Sequence, residues 1–185
     1  MALTATLHDF QVTLSNVDRR IEQQLSFKVA RHPSETMERV WLRVLAYCWQ
    51  WEDRLGFGKG LSDPDSPDLE TRDYTGLVTR WIRVGKPEPT KIQRAIDQNP
   101  SAQVVVLFES PERLETFLAE AAEARLSRVG KALLGAVDPD LLAGLASRED
   151  RRTKLTLTLV GDHFYVDRDG ESLDGPLVLG PSPAS

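Results

Sequence analysis

Six cations, Arg72, Arg80, Arg83, Lys86, Lys91 and Arg94, fall in one stretch of the chain, and their shared chemistry is phosphate recognition. Guanidinium groups make paired hydrogen bonds to phosphate oxygens, and ammonium groups add charge. Lys86 and Lys91 also have a plainer reading, as solvated lysines beside a turn and along a helix. Arg31 and His32 stand just before a helical pattern, where exposed N–H groups gather and could meet a phosphate. Arg31 equally suits an ion pair with Glu35 or Glu38. Those two acids lie on one side of the predicted helix start, where the helix dipole favours any carboxylate.

The other reactive residue types offer less. His8, His32 and His163 have unrelated spacings, so neither a histidine metal site nor a triad can be argued. The lone Cys48 excludes an internal disulfide and a multi-cysteine zinc cluster, and it suits a reducing compartment. Trp41, Trp49, Trp51 and Trp81 read as core or rim aromatics before base-stacking platforms. Pro64-Asp65 and Pro67-Asp68 read as ordinary loop formers.

Periodicity indicates the elements that must position these groups. Phe10, Val12 and Leu14, then Leu25, Phe27 and Val29, alternate with polar residues, predicting a β-hairpin that turns at 15–18. Pro33 and Glu35 suit a first helical turn, and the apolar spacing from Met37 to Leu55 predicts a long amphipathic helix over about 32–54. Gly, Pro, Asp and Ser dominate residues 56–76, which read as one long loop, functional or mobile. A strand follows over 78–84, with Arg80 on one face and Thr79, Trp81 and Arg83 on the other. A helix over 89–98, the apolar run VVVLF at 104–108, and a helix launched by Ser110 and Pro111 come next. A short strand within 129–137, a brief helix opened by Asp138 and Pro139, and a hairpin turning at Gly161-Asp162 complete the pattern, before a strand stub and a frayed tail.

At 185 residues the chain fits one domain able to bury a core without staples. No apolar run approaches the roughly 20 residues of a membrane span, and the start MALTATLHDF lacks a signal-peptide layout. A soluble protein of the cytoplasm, with no membrane contact and no disulfide partner, is expected. With 28 acidic against 23 basic residues the molecule is mildly acidic, so any grip on nucleic acid must come from a local basic patch.

Two runs are distinctive: ARHPSETMER at 30–39 and WIRVGKP at 81–87, the latter followed by a basic helix. With the layout of the C-terminal hairpin, they resemble the bacterial-type YaeQ family over essentially the full chain. The resemblance implies an α+β fold in one YaeQ-like domain over 1–185, with a flexible tail from about 177. It further implies a mixed β-sheet flanked by helices: a restriction-endonuclease-like core of the PD-(D/E)XK kind, with a β-roll added by the chain's two ends. In such enzymes carboxylates converge on Mg²⁺ while a lysine helps to place the attacking water. The family strand commonly reads D-x-W-I-E-x-G, where this chain has Thr79-Arg80-Trp81-Ile82-Arg83-Val84-Gly85. Thr79 and Arg83 thus stand at the two acidic positions, and a guanidinium repels a divalent ion. The resemblance also makes Glu35 and Glu38 candidates for an extra acid near the metal, against their plainer role at a helix start.

The expectation is a nuclease-fold protein with a degenerate active site. It would bind nucleic acid or another phosphate-bearing partner through Arg31, His32, Arg80, Arg83, Lys86 and Lys91, with no metal and no cofactor. One alternative is a Mg²⁺-dependent nuclease that recruits migrated acids such as Glu35, Glu38, Asp65 or Asp73, with Lys86 as assisting base. The other is a scaffold that binds a protein partner.

Overall fold

The structure, a computed structural model, describes residues 4–59, 63 and 65–183. The chain opens with the hairpin that alternation predicts, β1 (Thr6–Asn16) and β2 (Ile21–Arg31), paired residue for residue without a bulge. Its turn lies at 17–20, slightly later than expected, and Arg20 takes a left-handed conformation there (φ 55°).

Helix α1 (Met37–Trp49) is shorter than the 32–54 expected. Thr36 caps it, its hydroxyl accepting the Arg39 N–H, so Pro33 and Glu35 lie before the helix and not in its first turn. The pre-helical segment makes its own turn instead, with the Glu35 N–H donating to the His32 carbonyl. At the other end the apolar spacing runs past the last helical hydrogen bond, and Arg54 leaves with a left-handed conformation (φ 70°). Ten of the thirteen helical residues are buried, so α1 is a core helix with almost no solvent face.

Residues 56–76 are not one loop. They hold β3 (Gly56–Phe57) and β4 (Leu69–Arg72), two antiparallel strands too short and polar to produce a visible alternation. The Pro64 half of the Pro64-Asp65 motif lies outside the described residues. β5 (Val78–Gly85) then pairs antiparallel with β4, and Gly85, at φ 96°, lets the chain leave the strand toward Pro87.

The rest follows the sequence closely: α2 (Pro89–Gln98), β6 (Gln103–Phe108), α3 (Pro111–Glu123) capped by Ser110, a 3₁₀ turn over Ser127–Lys131, β7 (Leu133–Val137), and α4 (Pro139–Ala146) capped by Asp138. β8 (Arg152–Leu159), β9 (His163–Arg168) and β10 (Glu171–Leu179) finish the chain. Order therefore extends past 177, where the tail was expected to begin. Leu177 is buried in the core and pairs with Val137 of β7.

The ten strands among the described residues form one mixed sheet, in the order β2-β1-β8-β9-β10-β7-β6-β5-β4-β3. β5, β6 and β7 run parallel, and so do β1 and β8, which joins the two ends of the chain. The sheet curls until its edges approach: Phe27 of β2 and Phe57 of β3 have ring centroids 5.5 Å apart. Inside the curl, α1 and α4 pack with the inner faces of the strands. A second apolar layer, built on Trp81, Ile92, Phe108 and Phe117, holds α2 and α3 against the outer face of β5, β6 and β7. This double cover explains why β6 reads as an unbroken apolar run. No helix among the described residues is long and apolar enough to cross a membrane.

Candidate functional site

Two acids and three arginines meet where the N-terminus of α1 approaches the β4 and β5 strands. Glu35 is buried, and one of its oxygens accepts from Arg39 (2.9 Å) and from Arg43 (2.6 Å). Its other oxygen accepts the His32 N–H at 3.1 Å. Asp68, with no exposed surface, accepts from Arg39 at 2.5 Å and from the Val84 N–H at 2.9 Å. The Arg83 Nε stands 3.7 Å from the same carboxylate, and its Nη1 donates to the Ser66 carbonyl at 2.5 Å. Arg39 is the hinge of the group, one guanidinium spanning two buried carboxylates.

The electrostatics follow from this geometry. Burial pulls the Arg39 guanidinium down, but the charges and hydrogen bonds of Asp68 and Glu35 outweigh it, and its pKa stands above the ordinary arginine value. For the more deeply buried Arg43, desolvation outweighs the attraction of Glu35 and the pKa falls below that value. Every buried carboxylate here has a guanidinium partner, the condition under which buried charge is tolerated.

Arg83 also faces outward. It lines a cleft of about 280 Å³ whose other charged walls are Lys86, Lys91 and Arg94, opposed by Asp65 and Glu88. The buried Trp81 and Ile92 close its floor. Arg83 and Lys86 line a neighbouring cleft of about 270 Å³ as well, which reaches Thr36, Arg39 and Glu109. Lys86 is exposed on the rim of both. Lys91 stands 3.9 Å from Asp65.

The six cations read as one stretch do not form one cluster. Arg80 points toward the far end of α1, bonded to the Gln50 side chain (2.6 Å) and paired with Glu52 (3.2 Å). Arg72 pairs with Glu70 on the exposed side of β4. Neither lines the cleft: Arg72 lies on β4, and Arg80, three residues before Arg83 on β5, meets the opposite end of α1. Arg31 is likewise engaged, with the Glu35 carbonyl (2.8 Å) and Glu149 (3.2 Å). The His32 ring bonds to Ser34 at 2.7 Å. Thr79 hydrogen-bonds to the Thr71 carbonyl on β4. Glu38 is exposed at the first turn of α1. Asp73 sits in the β4–β5 turn, bonded to Thr75 and Leu77. Cys48 is fully buried, which pushes its thiol pKa up and leaves it without reactive character.

Asp68 is the residue that sequence reasoning missed. The Pro67-Asp68 pair carries no signal beyond its composition, and only the pairing of β4 with β5 places that carboxylate under the backbone of Val84.

The residues present do not fit a divalent cation. Glu35 and Asp68 converge, but Arg39 lies between them and Arg83 flanks Asp68, so positive charge already fills the space a metal would take. Among the described residues no three or more His, Cys, Asp or Glu side chains are grouped to hold a metal ion.

Comparison with known proteins gives a consistent result. Residues 1–175 match the family model described as YaeQ protein. The chain is 30% identical over 185 residues to the uncharacterized protein YaeQ of Escherichia coli (strain K12), and 30% identical to that of Salmonella typhi, each match covering 100% of both chains. Among solved structures, the YaeQ protein from Xanthomonas axonopodis pv. citri superposes with a TM-score of 0.88 at 29% identity, covering 97% of this chain and 100% of that one. The YaeQ protein from Pseudomonas syringae gives 0.87 at 27% identity, covering 96% and 97%.

Proposed function

This chain belongs to the YaeQ family, and we propose that it binds a phosphate-bearing partner, nucleic acid foremost, in the cleft lined by Arg83, Lys86, Lys91 and Arg94, without cutting it. We read the run from α1 through β3, β4, β5 and α2 to β6 as a nuclease-type core whose metal centre has become an ion-pair cluster. The observation that carries this reading is the double engagement of Arg83. Behind, it faces buried Asp68; in front, it joins three further cations around an open cleft. Four cations against two acids give that cleft a local positive balance that the net charge of −5 hides.

Binding of this kind depends on salt. A site neutralising three or four phosphates loses affinity with a log–log salt slope of about −3 on duplex DNA. Gel-shift titrations with labelled single- and double-stranded DNA and RNA, at several salt concentrations, measure it. Arg83→Glu and the rim variant Lys86→Glu should each weaken binding at least about tenfold and flatten the slope. An unbound probe at low salt would remove the reading.

The meeting of Glu35 and Asp68 is the one feature that favours a hydrolytic alternative. Incubating the same probes with Mg²⁺ or Mn²⁺ decides between them: intact probe is expected, and cleavage that disappears in Asp68→Asn would show a working metal site.

A further inference from the structure

β2 is a terminal strand of the sheet, and at 11 residues it is far longer than β3, the 2-residue strand at the other edge. Which of its backbone groups point away from β1 follows from the hydrogen-bond phase. Odd residues of β1 bond toward β8: the Asp9 N–H donates to the Arg151 carbonyl (2.7 Å) and the Val17 N–H to the Leu159 carbonyl (2.8 Å). Even residues of β1 therefore bond toward β2, where the register sets them against odd residues, Phe10 against Phe27 and Leu14 against Gln23. The N–H and C=O groups of Glu22, Gln24, Ser26 and Lys28 consequently face outward. The Ala30 carbonyl, next in the same series, fits this phase, since it accepts from the Arg43 side chain and not from β1.

Long strand edges invite pairing, and proteins usually blunt them with proline, a bulge or like charges. β2 has no proline and no bulge, and β3, which the curl of the sheet brings to Phe27, does not pair with it. Before Arg31 its only charged residues are Glu22 and Lys28, opposite in sign and equally distant from Leu25. A protective edge would carry one sign; this arrangement is self-complementary.

We propose that this edge joins two copies of the chain, their β2 strands antiparallel about a two-fold axis at Leu25. In that register Glu22 faces Lys28 of the partner subunit, Gln24 faces Ser26 of the partner subunit, and both are hydrogen-bonded pairs of even residues. Leu25 meets its own counterpart in a non-bonded pair, where side chains approach most closely. Leu25 is half-buried and packs at the margin of the inner core, so its pairing covers apolar surface at the centre of the interface. Lys28 already stands 3.2 Å from Asp9 and Glu22 accepts from Ser15, both on the exposed sheet face, and each can serve a second partner across the axis. Such an interface is isologous and closes on itself as a dimer.

Analytical ultracentrifugation of the full chain, from low micromolar to several hundred micromolar, tests this. A concentration-dependent dimer that weakens with salt is expected. Glu22→Lys places like charges opposite each other twice and should raise the dissociation constant roughly tenfold. Lys28→Glu should do the same, and the double swap Glu22→Lys with Lys28→Glu should restore dimerisation. Circular dichroism melts confirm that each variant is folded, and Glu22→Lys decides alone if Lys28→Glu unfolds beside Asp9. A chain that stays monomeric across the range, or single swaps that dimerise like the parent, overturn the proposal.

Discussion

Asp68 shows how much one side chain can organise. It has no exposed surface, yet it receives the Arg39 guanidinium, faces that of Arg83 and accepts the Val84 N–H. Removing its charge leaves two partly buried guanidinium groups short of a counterion, which costs far more than an exposed ion pair is worth. Asp68→Asn, close in shape, should therefore lower the free energy of unfolding by roughly 3–5 kcal/mol, read from urea denaturation. A loss below about 1 kcal/mol would mean that the network relaxes around the gap and that the carboxylate is not its centre. None of this was visible in the sequence, where Pro67-Asp68 looks like any loop dipeptide. The basic residues were visible as types, but their partners were not.

Elements with local signals were legible. The caps Ser110 and Asp138, the proline starts of α2, α3 and α4, and the alternation of β1, β2 and β8 all specify structure through neighbours a few residues away. β3 and β4 lack such signals because they exist only through pairing with β5, and α1 was overextended because apolar spacing continues into the segment that follows it. β5 is where this matters for function. Its strand geometry was read correctly, but the sequence could not say that Arg80 and Arg83 serve opposite ends of α1. Arg80→Ala should accordingly leave nucleic-acid binding within about twofold of the parent in the gel-shift titration, while Arg83→Glu weakens it. Equal losses in the two would mean that the basic surface wraps both ends of the strand.

The ten strands are continuous, and the two apolar layers lie on either side of the same central strands, so the molecule should come apart as one unit. Trp41 and Trp49 report the layer around α1, while Trp81 reports the layer under α2. Urea transitions followed by far-ultraviolet circular dichroism, by the fluorescence of the parent and by that of Trp81→Phe should coincide. Separated midpoints would divide the chain into two folding units. The parallel pairing of β1 with β8 carries one more consequence, for the newborn polypeptide. On the ribosome, the first hairpin emerges on the order of ten seconds before its partner strand does, given synthesis at roughly 5–20 residues per second. Through that interval the backbone groups of β1 that turn toward β8, such as the Asp9 N–H, stand without their strand partner, while α1, next off the ribosome, can already cover the apolar side of the hairpin.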